Sequence, residues 1–489
     1  MSFIDRDFLW FLPLVWSAWL LLRGRYTAQI VLLLGASLLF YGWRHPAVIG
    51  VIIAYSVVDW TVGVWLGRTR WRRAILILGL TFNIALLCFW KYTPLILTTL
   101  ASWFHRPELA ANVTTPGSWI VPMGVSFYSF TGIAYMVDVY RRVAASEPSV
   151  LRFSLFTSFF PHLVAGPILR AREFLTHLSP AELPQKPETP TEALSLIARG
   201  YFKKLVLADN LGFAVDPFFA DVVNQATTGV WSLPYLYLYG WQIYLDFSGY
   251  TDIARGLGLA FGFRWPENFR APYLATSVRE FWRRWHMTLS RFMRDYLYIP
   301  LGGSRVTAGW SAFAVMTTMT LSGFWHGASW TFLLWGAVHG ALLLVNRGWQ
   351  NFDLLGRMPA LEKIPGSVRR LFSVMLTFNV VCLAWSFFRL TRLSESLEAL
   401  RKVVQFDPAK AFVGGSADLS VWLMLAVYAI SVLCFARLRR GASVPEFFAA
   451  LHTRPFTRGL IAGGAIGLLV VSILLARTGE KMPFIYFQF

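Results

Sequence analysis

Apolar runs recur from one end of the 489-residue chain to the other, and short polar connections separate them. A helix that crosses a bilayer needs about 20 mostly apolar residues, so we predict an all-α polytopic membrane protein with about eleven transmembrane helices plus re-entrant or interfacial helices. The run 309–345 is long enough for two passes or a hairpin. The predicted spans are 8–22, 28–43, 47–66, 75–90, 119–137, 153–169, 200–219, 231–262, 309–345, 371–388, 420–437 and 459–476.

The polar stretches between these runs are short, and none has the length or pattern of a soluble domain. The stretch 179–192 contains four prolines, which are typical of a loop, and 348–370 is predicted to be a connection with short amphipathic pieces. The first run, 8–22, is followed by no small-residue cleavage site, so we expect it to remain as a membrane anchor. We therefore predict a single transmembrane domain over 1–489.

Composition supports the membrane assignment. Hydrophobic residues make up 56% of the chain and charged residues only 15%, against about 25% charged in soluble proteins. The net charge is +19, and the basic residues cluster between apolar runs, as at 68–73. This pattern is typical of cytoplasmic loops that set topology. It argues against nucleic-acid binding, because no soluble basic domain is predicted.

Common catalytic and metal-binding motifs are missing from the sequence. There is no GxSxG, HExxH, Walker loop or CxxC pair. The three cysteines, Cys88, Cys382 and Cys434, lie in separate apolar runs and indicate neither a disulfide framework nor a metal centre. We predict no metal site.

Histidines within apolar runs are the first candidates for chemistry, because polar groups in a membrane are expensive and often functional. His326 lies between Gly323 and Gly327, and small neighbours let a substrate or another helix approach closely. It can be a general base or a histidine that bridges two helices. His339 follows by thirteen residues, roughly 220° around one helix. The two can converge only if the chain turns, so a structural or supporting role is favoured for His339.

The segment 268–300 mixes arginines with aromatic residues and contains His286. It either lies in the interface or is buried inside the bundle. Guanidinium groups match phosphate geometry, so its arginines can bind phosphate groups of a substrate, or alternatively lipid headgroups. The arginines concerned are Arg283, Arg284, Arg291 and Arg294.

Two further residues are supporting candidates. His162 lies between prolines in FFPHLVAGPILR, a pattern that predicts a broken helix end buried in protein or beside a cavity. Asp246 lies in the apolar context YLDFSGYTD and can orient a histidine or pair with an arginine, although a purely structural role is favoured.

Five ordered motifs lie at 123–141, 158–170, 243–258, 281–305 and 323–340. They resemble the membrane-bound O-acyltransferase (MBOAT) family, and within it the bacterial alginate O-acetyltransferase branch; the teichoic-acid D-alanyl transfer proteins are more distant. The C-terminal string PFIYFQF also resembles that branch, and the resemblance covers nearly the whole chain.

The resemblance implies helices around a central funnel, in the bacterial inner membrane. The family's near-invariant histidine falls on His326, and a second polar position falls on His286. It also implies that acetyl-CoA is the donor, with no bound cofactor, and that a periplasmic SGNH-type acyltransferase often completes the transfer. We hypothesise that His326 is the general base and that His286 orients the acceptor or polarises the thioester carbonyl.

Two other classes of function remain open, a transporter of polysaccharide or lipid and a scaffold for a separate acetyltransferase. The sequence shows no internal repeat, which argues against many transporter folds. The acceptor hydroxyl, on alginate, another polysaccharide, a lipid or a partner protein, and the length of the acyl chain are left open.

Overall fold

The computed structural model describes residues 1–115, 119–180, 183, 189–223, 232–351, 364–405, 426, 455–475 and 484–485, and every regular element in them is a helix. The chain divides into two compact units, one formed by 1–197 with 251–266 and the other by 198–250 with 267–489. The single domain over 1–489 stays a prediction. The predicted span 420–437, Cys434 and parts of the polar stretches 179–192 and 348–370 lie outside the described residues.

The helices of the first unit follow the apolar runs closely. The predicted spans 8–22 and 28–43 correspond to α1 and α2. The π-helix Cys88–Tyr92 joins α4 to α5. The elements are α1 (Arg6–Leu21), α2 (Tyr26–Gly42), α3 (Val48–Arg68), α4 (Arg72–Leu87), α5 (Thr93–Trp103), the 3-10 helix Pro107–Ala110, α6 (Ala111–Thr114), α7 (Val125–Tyr140), α8 (Val150–Ser158), α9 (Phe160–Leu163), α10 (Ala171–Phe174) and the 3-10 helix Leu175–Leu178. Helix α11 (Pro190–Tyr201) begins in this unit.

The predicted helix break in 153–169 is present. Helix α8 ends at Ser158, and α9 begins at Phe160 with Pro161 in its first turn. Phe159, between the two helices, has a non-helical ψ of 114°. Pro161 has no backbone N–H to continue α8, but it is tolerated in the first turn of α9. The freed backbone N–H of Phe160 donates to the Ser37 hydroxyl at 3.1 Å, and the Phe160 ring packs against Phe11 with centroids 5.3 Å apart. The Ser37 side chain on α2 thus provides the hydrogen-bond partner for a backbone N–H at the helix break.

The second unit contains the site candidates at 246, 286, 326 and 339. A π-helix, Phe202–Ala208, leads into α12 (Asp209–Val223), and the following helix α13 (Leu233–Ala260) contributes its residues up to Tyr250. The remaining elements are the 3-10 helix Pro272–Leu274, α14 (Val278–Arg284), α15 (Met287–Met293), the π-helix Arg294–Tyr298, α16 (Ala308–His326), α17 (Trp330–Asn351), α18 (Gly366–Ala384), α19 (Ser386–Arg389), α20 (Leu393–Val404) and α21 (Pro455–Leu475).

The run 309–345 forms a hairpin of two helices, α16 and α17. Their backbones touch at glycines. A Cβ atom on Gly323 would lie 2.3 Å from the Phe332 carbonyl oxygen, and one on Gly336 would lie 2.3 Å from the Met319 carbonyl oxygen. Small residues allow helices to approach this closely, so the glycine beside His326 serves contact with another helix.

Three helical stretches in the described residues are long and apolar enough to cross a membrane: Val48–Arg68, Arg72–Trp103 and Gly366–Arg389. Shorter apolar helices occur at Tyr26–Gly42 and Gly459–Ser472. The count of about eleven crossings stays a prediction.

Candidate active site

His326 is the last residue of α16 and is buried among aromatic rings. Its ring centroid lies 5.0 Å from that of Trp325, 5.3 Å from that of Trp335 on α17 and 5.2 Å from that of Phe388 on α19. The chain turns after it and enters α17 at Trp330. Gly327 in this turn lies against the Phe332 ring, where a Cβ atom would be only 2.1 Å from a ring carbon. The helix end and its glycine thus hold an imidazole in an apolar pocket that excludes bulk water.

His286 lies between α14 and α15 and is fully buried. Its backbone is left-handed, with φ 41° and ψ 55°, which costs a non-glycine residue about 1–2 kcal/mol. Such geometry persists only where surrounding contacts hold it, and it clusters at functional sites. Here Asn268 supplies the contacts. Its carbonyl accepts the Met287 N–H at 2.9 Å, and its side-chain oxygen accepts the Thr288 N–H at 3.1 Å.

The two histidines come together in space although forty residues separate them. Their ring centroids are 6.4 Å apart, and the His286 ring also contacts Phe247 and Trp325. Hydrogen bonds to a reacting group span about 2.6–3.2 Å between heavy atoms. A single small group between the rings can therefore lie within reach of both imidazoles.

His339 reaches the same region because the chain turns after His326, as convergence requires. The Trp335 ring lies against both histidines, 5.3 Å from His326 and 4.7 Å from His339. His339 is fully buried, and neither of its ring nitrogens has a hydrogen-bond partner among the described residues. It supports the wall behind Trp335, and its contribution to activity stays a prediction.

Asp246 on α13 belongs to a buried ion cluster. Its carboxylate lies 2.5 Å from Lys204 Nζ and accepts the backbone N–H of Ile485 at 2.9 Å. Lys204 also binds Asp209 at 2.8 Å. The partner of Asp246 in the structure is thus a lysine, where the sequence suggested a histidine or an arginine. The lysine was overlooked because its cluster joins residues about forty positions apart.

His162 belongs to the first unit. Its ring lies 5.4 Å from that of Trp265 and 5.6 Å from that of Phe174, and it is buried. A Cβ atom on Gly166 would lie 2.5 Å from the His162 Cα, so glycine is needed for the turn that follows. These contacts are those of a packed histidine at a broken helix end.

The four arginines of the 268–300 segment have different surroundings. Arg283 is exposed and Arg291 half-buried, while Arg284 forms an ion pair with Glu280. Arg294 pairs with Asp295 at 2.6 Å. Burial raises the pKa of Glu280, but hydrogen bonds from Thr276 and the Arg284 charge outweigh it, so the net shift of the pKa is downward. Arg284 is thus engaged within α14.

A cavity of about 190 Å³ lies between the segment 282–298 and the α16–α17 hairpin, and it is lined mainly by apolar groups. The histidines themselves do not line it. Arg294 and Trp282 border it, and Trp282 also contacts His339 with ring centroids 5.3 Å apart. Thr318 and Ser322 line it from α16. Together with His326 they recur every four residues, so the three share one helix face. The cavity therefore runs along the face of α16 that ends at His326.

Sequence reasoning missed this cavity and the role of Asn268. The four-residue spacing of Thr318, Ser322 and His326 in an apolar helix is a signal that could have revealed the polar stripe. Asn268 offered no local signal, because it precedes His286 by eighteen residues.

Comparison with known proteins identifies the family. Residues 137–387 match the model of the membrane-bound O-acyltransferase family. The probable alginate O-acetylase AlgI of Azotobacter vinelandii is 32% identical, with all of both chains covered. The same protein of Pseudomonas aeruginosa strain PAO1 is 33% identical over 91% of this chain and 83% of its own. The peptidoglycan O-acetyltransferase of Helicobacter pylori is 34% identical over 76% of this chain and 72% of its own. The chain therefore belongs to the membrane-bound O-acyltransferase family and is an O-acyltransferase.

Proposed function

We propose that the protein transfers an acetyl group from cytoplasmic acetyl-CoA to a hydroxyl, with His326 as general base, for O-acetylation of a surface polysaccharide such as alginate. The observation that carries the proposal is the buried pair of His326 and His286, whose ring centroids lie 6.4 Å apart. A mostly apolar cavity reaches Ser322, one helical turn before His326. Relatives named as alginate O-acetylases match the chain over its full length, and a peptidoglycan O-acetyltransferase is also similar. These names support a glycan as acceptor.

The reaction needs an activated hydroxyl and a site that excludes water. His326 accepts the hydroxyl proton as the oxygen attacks the thioester carbonyl carbon, and a C–O bond forms. The C–S bond then breaks, and the same proton passes to the departing thiolate of coenzyme A. The aromatic wall formed by Trp325, Trp335 and Phe388 around His326 keeps out water, which would otherwise hydrolyse the thioester.

The cavity fits the acyl end of the donor. Its volume of about 190 Å³ is below the roughly 300–1,000 Å³ of pockets that enclose whole drug-sized ligands. It therefore holds the acetyl group and part of the pantetheine arm, with the nucleotide outside. Arg294 borders the cavity, and a guanidinium there matches the geometry of a donor phosphate. The acetyl group enters beside Ser322, one helical turn from His326.

The acceptor is a polysaccharide hydroxyl, reached directly or through the hydroxyl of a periplasmic SGNH-type partner. The enzyme spans the inner membrane several times, so that the donor enters from the cytoplasm and the acceptor from the periplasm. The several helices long and apolar enough to cross a membrane support this arrangement.

The test is transfer of labelled acetyl from acetyl-CoA by the purified full-length protein, measured as base-labile ester on an oligosaccharide acceptor. Loss of a general base costs about 10²–10⁴-fold, so His326→Gln should lower the rate by at least about 100-fold. His339→Gln is the matched control. His339 is also a buried histidine of the hairpin, and the Trp335 ring lies between it and His326. We expect it to retain most of the activity.

Two results would contradict the proposal. Wild-type rates in a folded His326→Gln protein would remove His326 as the base. A wild-type protein that transfers no label, yet is required for ester-linked acetyl on the polysaccharide of intact cells, would support the scaffold or transporter alternatives.

A further inference from the structure

We propose that Asn268 is a positioning residue that holds His286 in the tautomer with its proton on Nδ1, so that the Nε2 lone pair faces the acceptor. The inference deepens the proposed function and rests on it for the identity of the acceptor. It decides between the two roles that the sequence leaves open for His286. A neutral imidazole with a bare Nε2 accepts a hydrogen bond, but has no proton at that atom to polarise a thioester carbonyl.

The orientation of the Asn268 amide is fixed by the backbone. The N–H of Thr288 can only donate, and it lies 3.1 Å from the Asn268 side-chain atom that also faces His286. That atom must therefore be the amide oxygen, Oδ1. The hydroxyl of Thr288 donates to the same oxygen at 3.0 Å. Flipping the amide would place its NH₂ group against a backbone donor.

The tautomer of His286 follows from this orientation. His286 Nδ1 lies 3.1 Å from Asn268 Oδ1. An amide oxygen only accepts, so Nδ1 carries the proton and donates it. The neutral ring has one such proton, which leaves Nε2 bare.

The bare nitrogen points to an interaction with substrate. His286 is fully buried, and its Nε2 has no hydrogen-bond partner among the residues that the structure describes. Buried acceptors that lack a partner are rare and lower stability, so they call for an explanation. The Nε2 of His286 is accounted for if a hydrogen-bond donor of the bound acceptor, such as a sugar hydroxyl other than the reacting one, fills this position beside His326.

The same asparagine also holds the backbone. Its carbonyl accepts the N–H of Met287 at 2.9 Å, so Asn268 binds the chain on the C-terminal side of the left-handed His286. On the N-terminal side of His286, the backbone N–H of Arg270 donates to the carbonyl of Arg284 at 2.9 Å and holds the chain there as well. Position and tautomer of His286 are thus set from one loop.

Two side-chain variants separate positioning from folding. Asn268→Leu removes the acceptor, and we expect kcat for acetyl transfer to fall about 10- to 100-fold, the range seen when the partner that orients a metal-bound histidine is removed. Asn268→Asp keeps an oxygen facing Nδ1, and we expect it to restore most of the rate. Thr288→Val is the matched control, because it removes another hydrogen bond to the same oxygen and leaves the His286 contact intact.

The tautomer itself is measured by solid-state ¹⁵N spectra of histidine-labelled full-length protein, with His286→Gln used to identify the His286 signals. We expect a protonated Nδ1 and a bare Nε2 in wild type, and a loss of this preference in Asn268→Leu. A wild-type His286 with its proton on Nε2 would overturn the inference, as would full activity of Asn268→Leu. If wild type transfers no acetyl, the proposed function fails, while the spectra of wild type and Asn268→Leu together still decide whether Asn268 sets the tautomer.

Discussion

The contact between α16 and α17 predicts that Gly336→Ala separates the hairpin that carries His326. A Cβ atom at position 336 would lie 2.3 Å from the Met319 carbonyl oxygen and 2.9 Å from the Thr320 Cα. Both are backbone atoms, so neither can move aside as a side chain would. Ordinary contact begins near 3.4 Å, and the two helices must part by about an ångström at this point.

The size of the effect follows from this overlap. Inserting a methyl group into a tightly packed contact costs about 1–3 kcal/mol. A loss of this size lowers the Tm of the unfolding transition that includes the hairpin. Activity should fall as well, because Trp335 immediately precedes Gly336 and contacts His326. The reactive geometry tolerates little displacement.

Gly348→Ala is a matched control on the same helix, where a Cβ atom would meet nothing within 4 Å. Alanine exceeds glycine in helix propensity by up to about 1 kcal/mol, so this variant should be at least as stable as wild type. The assay is thermal unfolding of both purified proteins in one detergent, together with acetyl-transfer rates. If Gly336→Ala matches Gly348→Ala in both measurements, the two backbones are not in contact and the reasoning is wrong.

Two further predictions concern the ion cluster and the cavity. Lys204→Met should lower stability by about 3–5 kcal/mol, because it leaves buried carboxylates without their cation; thermal unfolding measures this, and adding Asp246→Asn should recover part of the loss. Ser322→Leu should fill part of the cavity and raise KM for acetyl-CoA, whereas Leu321→Phe, on the exposed face of α16, should leave KM unchanged. An unchanged KM in Ser322→Leu would place the donor elsewhere.

The sequence alone determined the class of the protein and much of its local structure. Apolar runs predicted helices whose observed ends differ by a few residues, as for 47–66 and Val48–Arg68. The hairpin in 309–345 and the break near Pro161 were also predictable. These features depend on contacts between residues near in sequence, on hydropathy and on backbone restrictions that each residue carries with it. The ordered motifs indicated the family, which the comparisons confirm.

His326 and His286 could be named as candidates from their apolar context and from the resemblance, but their meeting could not be derived from spacing. Likewise, one straight helix would place His339 on another side from His326, and only the turn after His326 lets Trp335 on α17 contact both histidines. Asp246 pairs with Lys204, and His286 hydrogen-bonds with Asn268. No sequence pattern links the two residues of either pair. Such contacts depend on how the helices pack, which periodicity along one helix does not encode. The tertiary structure therefore decided which polar groups meet in the buried site.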